Sequence, residues 1–323
     1  MTAVLLVDTA SITTKLTGEA RTSASLAERF FGYSDGDPRI LNKNKSKNKS
    51  HPDFFMRPLL IVIFVAGAFC LFAWIASLIS GDTSWVDRGW SIVPVIYLWV
   101  FAAFAHLSNT RLDLMAIVVT IWGARLTFNF ARKGGYTGVE DYRWPVLRAG
   151  MKTWQFQFFN IFFIVLYQNF ILVLMTLPAY TAYEDRARTP FGWLDALLIA
   201  AFLLCTIGET VADEQQWRFQ TAKHGAIAQG RAPEGEFLES GLFHYSRHPN
   251  YFFELAQWWI LFFIGCVAAG SLWQWTVVGV VLLTLLFVGS TRFTESITLG
   301  RYPSYVNYQR RTSPIVPWFA GKA

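Results

Sequence analysis

Seven apolar runs, each near the length needed to cross a lipid bilayer, constrain the fold of this chain more than any other feature. A membrane-spanning helix needs about 20 mostly apolar residues. One run, IVIFVAGAFCLFAWIASLI (61–79), is apolar on every face, which a soluble helical bundle would not tolerate. The pattern predicts an all-α fold, a polytopic transmembrane helical bundle of six or seven spans. The runs occupy 58–80, 90–107, 112–131, 154–177, 192–211, 253–270 and 273–291.

The N-terminal region differs in composition from the rest of the chain. It is rich in Ser, Thr, Lys and Asn and contains the low-complexity tract NKNKSKNKSHPD (42–53). Such a composition cannot bury enough apolar surface to offset the entropy cost of folding. We therefore expect a disordered polar tail over 1–57, a membrane domain over 58–319 and a short C-terminal tail over 320–323.

The charge and the cysteines argue against two classes of function. The net charge is +6, but the basic residues are spread over the tail and the loops without a DNA- or RNA-binding motif. Lysines and arginines at the membrane surface explain that charge better, so no nucleic-acid partner is predicted. Cys70, Cys205 and Cys266 lie inside apolar runs without CxxC spacing. They are typical of small buried side chains, and no disulfide and no metal site are predicted.

The basic residues also predict an orientation for a seven-span chain. If the N-terminus is outside, the loops 132–153 and 212–250 and the C-terminal tail face the cytoplasm, which agrees with the positive-inside rule. The basic residues in 43–57 favour the opposite orientation, and we give the other three regions greater weight. The predicted location is the endoplasmic reticulum if the source is eukaryotic and the inner membrane if it is bacterial.

Ionisable residues inside apolar spans are candidates for a functional site because each costs free energy unless it is paired or solvated. Arg125 lies well inside the third run. At the end of the fifth run and just beyond it, polar residues recur at helical spacing and share one face: Glu209, Asp213, Gln216 and Gln220. The structural alternatives are that Arg125 only holds two spans together and that the acidic residues mark a helix leaving the membrane.

The stretch GLFHYSRHPNYFFELAQWW (241–259) places polar residues at the start of an apolar helix. Pro249 suits the first helical position, and Asn250 and Glu254, four residues apart, share a face of that helix. A helix N-terminus beside Arg247 and His248 is a natural site for phosphate. Glu254 can accept hydrogen bonds from a ribose hydroxyl or an amide. The stretch therefore predicts a nucleotide-like anionic cofactor that enters from the cytoplasmic side.

Further polar residues follow the last span. Glu295, Arg301, Tyr305 and Tyr308 lie in TRFTESITLGRYPSYVNYQRRTSPIVPWF (291–319). The two tyrosines suit a ligand site or an interfacial aromatic belt equally well. The motifs of soluble nucleotide-binding folds do not occur in a suitable context, and these folds are excluded.

Five segments, in order, carry a resemblance to a known superfamily: SWVDRGWSIVP (84–94), WGARLTFNFARKGGYTGVEDYRW (122–144), ETVADEQQWRF (209–219), the stretch 241–259, and RYPSYVNYQRRTSPIVPW (301–318). The chain resembles the membrane steroid 5α-reductase and sterol reductase superfamily, and within it a branch of small polytopic proteins. The resemblance covers roughly residues 58–319. It implies an all-α bundle that holds NADPH in a cavity formed mostly by the C-terminal half.

The resemblance also implies roles for individual residues. Glu209 and Asp213 would face the adenosine part of the cofactor, and three arginines would lie near the phosphates: Arg125, Arg247 and Arg301. The ribose and nicotinamide end would be lined by His248, Asn250, Tyr251 and Glu254, with Glu295, Tyr305 and Tyr308 completing the pocket.

The implied reaction is hydride transfer to a carbon–carbon double bond of a lipophilic substrate that resembles a steroid, a sterol or an isoprenoid. In the steroid reductases a tyrosine of the N-terminal half polarises the substrate oxygen, and here Trp122 stands at the matching position. Tyr142 is the substitute candidate, and Tyr142 and Glu254 are the candidate catalytic residues. The departure at Trp122 places a steroid substrate in doubt.

Two other functions stay open. Isoprenylcysteine carboxyl methyltransferases and phospholipid methyltransferases carry a similar RHPxY stretch and use S-adenosylmethionine. Arg125, Arg247 and Arg301 favour NADPH, because NADPH carries three phosphate groups whereas S-adenosylmethionine carries a sulfonium. A non-enzymatic membrane protein ranks third, because the sequence shows no internal repeat of the kind found in transporters. The predicted partners are a lipophilic small molecule and the lipid bilayer, and no oligomeric state is predicted.

Overall fold

The computed structural model describes residues 57–319, and within this range every regular element is a helix. The tails expected over 1–57 and 320–323 lie outside the described residues, except that Arg57 begins the first helix. The helices are α1 (Arg57–Ser80), α2 (Trp85–Gly89), α3 (Val93–Phe104), α4 (Thr110–Arg132), α5 (Arg143–Ala149), α6 (Thr153–Phe159), a π-helix (Asn160–Tyr167), α7 (Gln168–Glu184), α8 (Trp193–Ala228), a 3-10 turn (Gly241–His244), α9 (Pro249–Ala269), α10 (Val277–Arg301) and α11 (Tyr305–Arg311).

The helices form seven stretches that are long and apolar enough to cross a membrane. Helices α2 and α3 together form the second, and α6, the π-helix and α7 form the fourth. The chain is a polytopic helical membrane protein, as predicted, and the described residues contain seven spans. The stretches are Pro58–Ser80, Trp85–Phe104, Thr110–Arg132, Thr153–Glu184, Trp193–Ala228, Pro249–Ala269 and Val277–Arg301.

The outer surface of the bundle is apolar at the level of the spans. On α1, Phe64 is 76% exposed and Ile79 is 82% exposed. A continuous apolar surface of this kind is unfavourable in water and suits contact with lipid tails. The exposed faces are therefore explained by the bilayer.

Helices α4 and α8 are joined at two levels. Near their first turns, Arg111 donates hydrogen bonds of 2.7 and 2.9 Å to the two carboxylate oxygens of Asp195. Fourteen residues further along both helices, Nη2 of Arg125 lies 2.5 Å from Oε1 of Glu209. Equal spacing means that α4 and α8 run parallel and in register, because each helix rises by the same amount per residue. Parallel third and fifth spans are what an alternating seven-span topology requires.

This alternation brings particular helix ends together. The C-terminal ends of α4, α8 and α10 lie at the same end of the bundle as the N-terminal ends of α2, α6 and α9. We call it the polar end. It carries the ionisable residues that the sequence singled out, and the loop 133–142 joins α4 to α5 there.

Helix α8 is longer than the sequence predicted. The apolar run ended at 211, and a loop was expected over 212–250, but the helix continues to Ala228. Its 36 residues span about 54 Å, against about 30 Å of hydrocarbon. Glu209 and Asp213 do not end the helix, because their charges are compensated by Arg125 on α4. The turns after them extend beyond the hydrocarbon, where polar side chains are solvated.

Helix α7 lies at the centre and packs against α1, α3, α4, α9 and α10. Two glycines permit the closest of these contacts. A Cβ atom at Gly265 of α9 would lie 2.9 Å from the carbonyl oxygen of Pro178, and one at Gly279 of α10 would overlap the backbone of Leu174. Small residues let transmembrane backbones approach closely, which strengthens their packing.

Candidate ligand cavity

A cavity of about 660 Å³ opens at the polar end of the bundle. Its volume is typical of sites for small molecules and cofactors. The cavity was expected mostly in the C-terminal half, and the structure instead forms it from both halves. Residues from α2, α4, the loop 133–142, α5 and the π-helix line it together with residues from α8, α9 and α10. This follows from the topology, because helix ends from both halves meet at the polar end.

One wall of the cavity contains three buried carboxylates grouped around one arginine. Arg125 lies 2.5 Å from Glu209, 2.6 Å from Asp213 and 4.0 Å from Glu254. The three acidic side chains are at most 7% exposed, and all three residues line the cavity. Arg125 itself does not line it. The guanidinium is therefore occupied by protein carboxylates.

Glu254 is held by two tryptophans. The indole N–H of Trp122 donates to Oε2 at 2.7 Å, and the indole N–H of Trp258 donates to Oε1 at 2.9 Å. The two rings meet edge to face, with their centroids 4.9 Å apart. Trp122 thus orients a carboxylate that faces the cavity.

The other two carboxylates have polar partners of their own. Glu209 accepts a 2.7 Å hydrogen bond from the amide of Gln257, whose oxygen accepts from Thr206 at 2.8 Å. Asp213 accepts from the amide of Asn129 at 2.7 Å. Glu209, Asp213 and Glu254 therefore each accept at least two contacts from the protein, which fixes their orientation.

A second network lies at the start of α9, and none of its residues lines the cavity. Arg247 donates to both oxygens of Glu295, at 2.6 and 3.0 Å, and His248 contacts the same carboxylate at 3.1 Å. The side chain of Gln309 donates to it at 2.9 Å, and Tyr305 lies 3.5 Å away. The network connects α9 to α10 and α11.

The C-terminal segment is bound to this network through its backbone. Arg247 donates its backbone N–H to Ser313 at 2.8 Å, and its side chain donates to the carbonyl of Gln309 at 3.0 Å. The hydroxyl of Tyr308 donates to the carbonyl of Phe243. Burial raises the pKa of Tyr308, so the phenol stays protonated at neutral pH.

The structure therefore separates the predicted site residues into two groups. Glu209, Asp213, Asn250, Tyr251 and Glu254 line the cavity. The others do not, namely Arg125, Arg247, His248, Glu295, Arg301, Tyr305, Tyr308 and Tyr142. The comparison of NADPH with S-adenosylmethionine relied on three arginines, and none of the three lines the cavity. Arg125 and Arg247 are paired with protein carboxylates, and Arg301 is exposed at the end of α10.

Two other cations, which the sequence did not single out, line the cavity. Arg143 donates to Asp141 at 2.8 and 3.1 Å and to Ser290 at 3.0 Å. Burial alone would lower the pKa of Arg143, but the hydrogen bonds and the charge of Asp141 raise it. Lys133 follows the last residue of α4, and Gly134, with a φ of +86°, lets the chain turn directly after it.

Aromatic side chains form another wall. Phe159, Phe163 and Tyr167 are stacked in a row, with ring centroids 4.8 and 5.4 Å apart, and all three line the cavity. They lie on or next to the π-helix Asn160–Tyr167, a rare element that often marks functional sites. The four-residue spacing of these aromatics is visible in the sequence, but the π-helical turn that presents them is not.

The candidate proton donor Tyr142 lies beside the cavity. Its side chain is 53% exposed, while its neighbours Asp141 and Arg143 contribute to the lining. Tyr251 lines the cavity directly, and its ring stacks on His248 with centroids 5.2 Å apart.

These observations define a polytopic membrane protein with one polar and one aromatic wall in a cavity at the end of its bundle. A family model described as "Protein of unknown function (DUF1295)" matches residues 73–312. The chain belongs to this family. It is also 34% identical over 266 residues to the protein C594.04c of Schizosaccharomyces pombe, described as uncharacterised. That match covers 77% of this chain and 76% of the other. No solved structure matches the chain.

Proposed function

We propose that the protein is a membrane-embedded, NADPH-dependent reductase that reduces a carbon–carbon double bond of a lipophilic substrate. The observation that carries this proposal is the cavity, which joins a polar wall of buried ions to an aromatic wall at the level of the spans. A polar cofactor and an apolar substrate must meet in a reductase of this kind. A site with one wall suited to each fits that requirement.

The polar wall fits the nucleotide in its donors and acceptors. Glu209 and Asp213 offer carboxylate oxygens to ribose hydroxyls, and Asn250, near the N-terminus of α9, offers an amide. The first turn of α9 adds backbone N–H groups, which favour anions. Lys133 and Arg143 are the described cations in the lining.

NADPH, when bound, supplies the hydride, and the protein has to position the double bond and provide a proton. The aromatic row Phe159, Phe163 and Tyr167 would hold a flat or extended apolar substrate by stacking. Tyr142 is our candidate proton donor, and Tyr251, which lines the cavity, is a second phenol within the site. Glu254, fixed by its two tryptophans, would orient the reacting end of the cofactor.

A methyltransferase that uses S-adenosylmethionine is the second candidate, and one observation favours it. The lining contains five carboxylates but only two cations, a balance that suits a sulfonium. Against this, Arg125 neutralises part of the charge of three of the carboxylates.

The cellular location is proposed with the function. NADPH has to reach the polar end of the bundle, and the predicted orientation places that end and the C-terminus in the cytoplasm. The membrane would be the endoplasmic reticulum in a eukaryote or the inner membrane in a bacterium.

Titration of the detergent-purified protein with NADPH and with S-adenosylmethionine tests the proposal. We expect saturable NADPH binding, weakened at least tenfold by Glu254→Gln, and no effect of Glu214→Gln, which lies on α8 outside the lining. Glutamine has nearly the same volume and keeps an oxygen acceptor for one of the two indoles, which limits the structural damage. Binding of S-adenosylmethionine alone would replace the reductase with a methyltransferase, and binding of neither compound would remove both proposals.

A further inference from the structure

The cavity contains one cation whose hydrogen-bonding capacity the described protein does not use. Lys133 lines the cavity, and no carboxylate of residues 57–319 forms an ion pair with it. Arg143, the other lining cation, already donates to Asp141 and Ser290. A lysine ammonium has three donors, and Lys133 lines a space of about 660 Å³, which is large enough for a ligand.

The neighbouring carboxylates leave few acceptors for Lys133. Both oxygens of Glu209 have partners, in Arg125 and Gln257, whereas Arg125 and Asn129 both donate to Oδ2 of Asp213. One remaining oxygen of Asp213 cannot use all three donors of the ammonium, so further acceptors have to come from elsewhere. The acceptor that matches a free ammonium best is an anion.

The adjoining residue, Arg132, is also cationic but does not line the cavity. Arg132 donates to Glu214 at 2.7 Å and to Asn129 at 2.9 Å, and its guanidinium lies over the ring of Trp217. The two cations at the end of α4 thus have different surroundings: Arg132 is engaged by the protein, and Lys133 faces the cavity.

We propose that Lys133 is the phosphate-binding residue of the cavity and contacts a phosphate group of the bound nucleotide. The proposal rests on the proposed function and transfers the phosphate contact from Arg125, Arg247 and Arg301 to a residue with unused donors. It also explains how a lining rich in carboxylates accepts an anionic cofactor, because one cation stays available at its edge.

The first test is affinity. In detergent-purified protein, Lys133→Met should bind NADPH about 10- to 100-fold more weakly than the wild type, the size of one charge-assisted contact, and Lys133→Arg should restore most of the affinity. Lys152→Met, an exposed lysine at the same end of the bundle, is the matched control and should bind like the wild type. A loss for NADPH but not NADH would assign the contact to the 2′-phosphate, and a loss for both would assign it to the pyrophosphate. Wild-type affinity in Lys133→Met would overturn the proposal.

The second test does not depend on NADPH. Burial lowers the pKa of the Lys133 ammonium, an effect that the carboxylate of Asp213 partly opposes, so a larger fraction of this amine is neutral than of a free lysine side chain at the same pH. An amine-acylating reagent can therefore probe it. Mass spectrometry should show that inorganic pyrophosphate protects Lys133 from acylation and leaves Lys152 unprotected. Protection without NADPH binding would remove the reductase and keep the phosphate site. No protection, together with unchanged NADPH affinity in Lys133→Met, would remove the phosphate site and keep the reductase.

Discussion

Replacement of Arg125 by methionine should strongly destabilise the protein. The guanidinium is 11% exposed and lies 2.5 Å from Glu209 and 2.6 Å from Asp213, with Glu254 at 4.0 Å. Methionine keeps much of the volume but removes the charge, which leaves three buried carboxylates without a cation. Removing one partner of a buried ion pair costs about 3–5 kcal/mol, and two close contacts place this site in that range.

Thermal unfolding in detergent, followed by tryptophan fluorescence, measures the effect. A loss of this size lowers the Tm by about 6 °C or more. Arg218→Met is the matched control, because Arg218 forms its ion pair with Glu214 on the surface of α8 and is 78% exposed. Pairs of this kind contribute less than about 1 kcal/mol, so its Tm should stay near that of the wild type.

A double variant distinguishes charge from packing. Arg125→Met combined with Glu209→Gln neutralises one of the carboxylates that Arg125→Met leaves unpaired. If the loss of stability is electrostatic, this double variant should recover about half of it. The reasoning would be refuted by a Tm loss in Arg125→Met no larger than in Arg218→Met. It would also be refuted by a double variant less stable than Arg125→Met alone, since either result means that Arg125 does not compensate the carboxylates.

Three further predictions concern the bundle, the C-terminal segment and the orientation. Gly279→Ala should lower the stability by about 1–3 kcal/mol, because its Cβ meets the backbone of α7, whereas Gly300→Ala on the same helix meets open space and should be neutral or slightly stabilising in the same thermal assay. Glu295→Gln should release the segment after α11, measured as faster proteolysis near residue 312 with the rest of the chain intact; an unchanged cleavage rate would show that the backbone contacts suffice. A cysteine at Arg231, beyond the end of α8, should react with a membrane-impermeant thiol reagent only after the cytoplasmic side is made accessible. Labelling from the opposite side would reverse the orientation and the proposed route of NADPH.

Much of the site could be predicted as a set of residues but not as a set of contacts. Glu209, Asp213 and Glu254 were identified because ionisable side chains near apolar spans are costly, and all three line the cavity. Arg125 and Arg247 were assigned to cofactor phosphates, but both are paired with protein carboxylates. Arg125 pairs with Glu209, 84 positions away in the sequence, and Arg247 pairs with Glu295, 48 positions away.

The sequence by itself determined the membrane fold, because the length and hydrophobicity of a span are local properties that a bilayer selects directly. It also determined which helix ends carry charge, because alternating spans bring every second end to one side. Only the tertiary structure decided which ions meet. Whether Arg125 faces a phosphate or Glu209, and whether Lys133 faces a carboxylate or the cavity, depends on how the faces of non-adjacent helices pack, and a pattern along one helix contains no information about its neighbour.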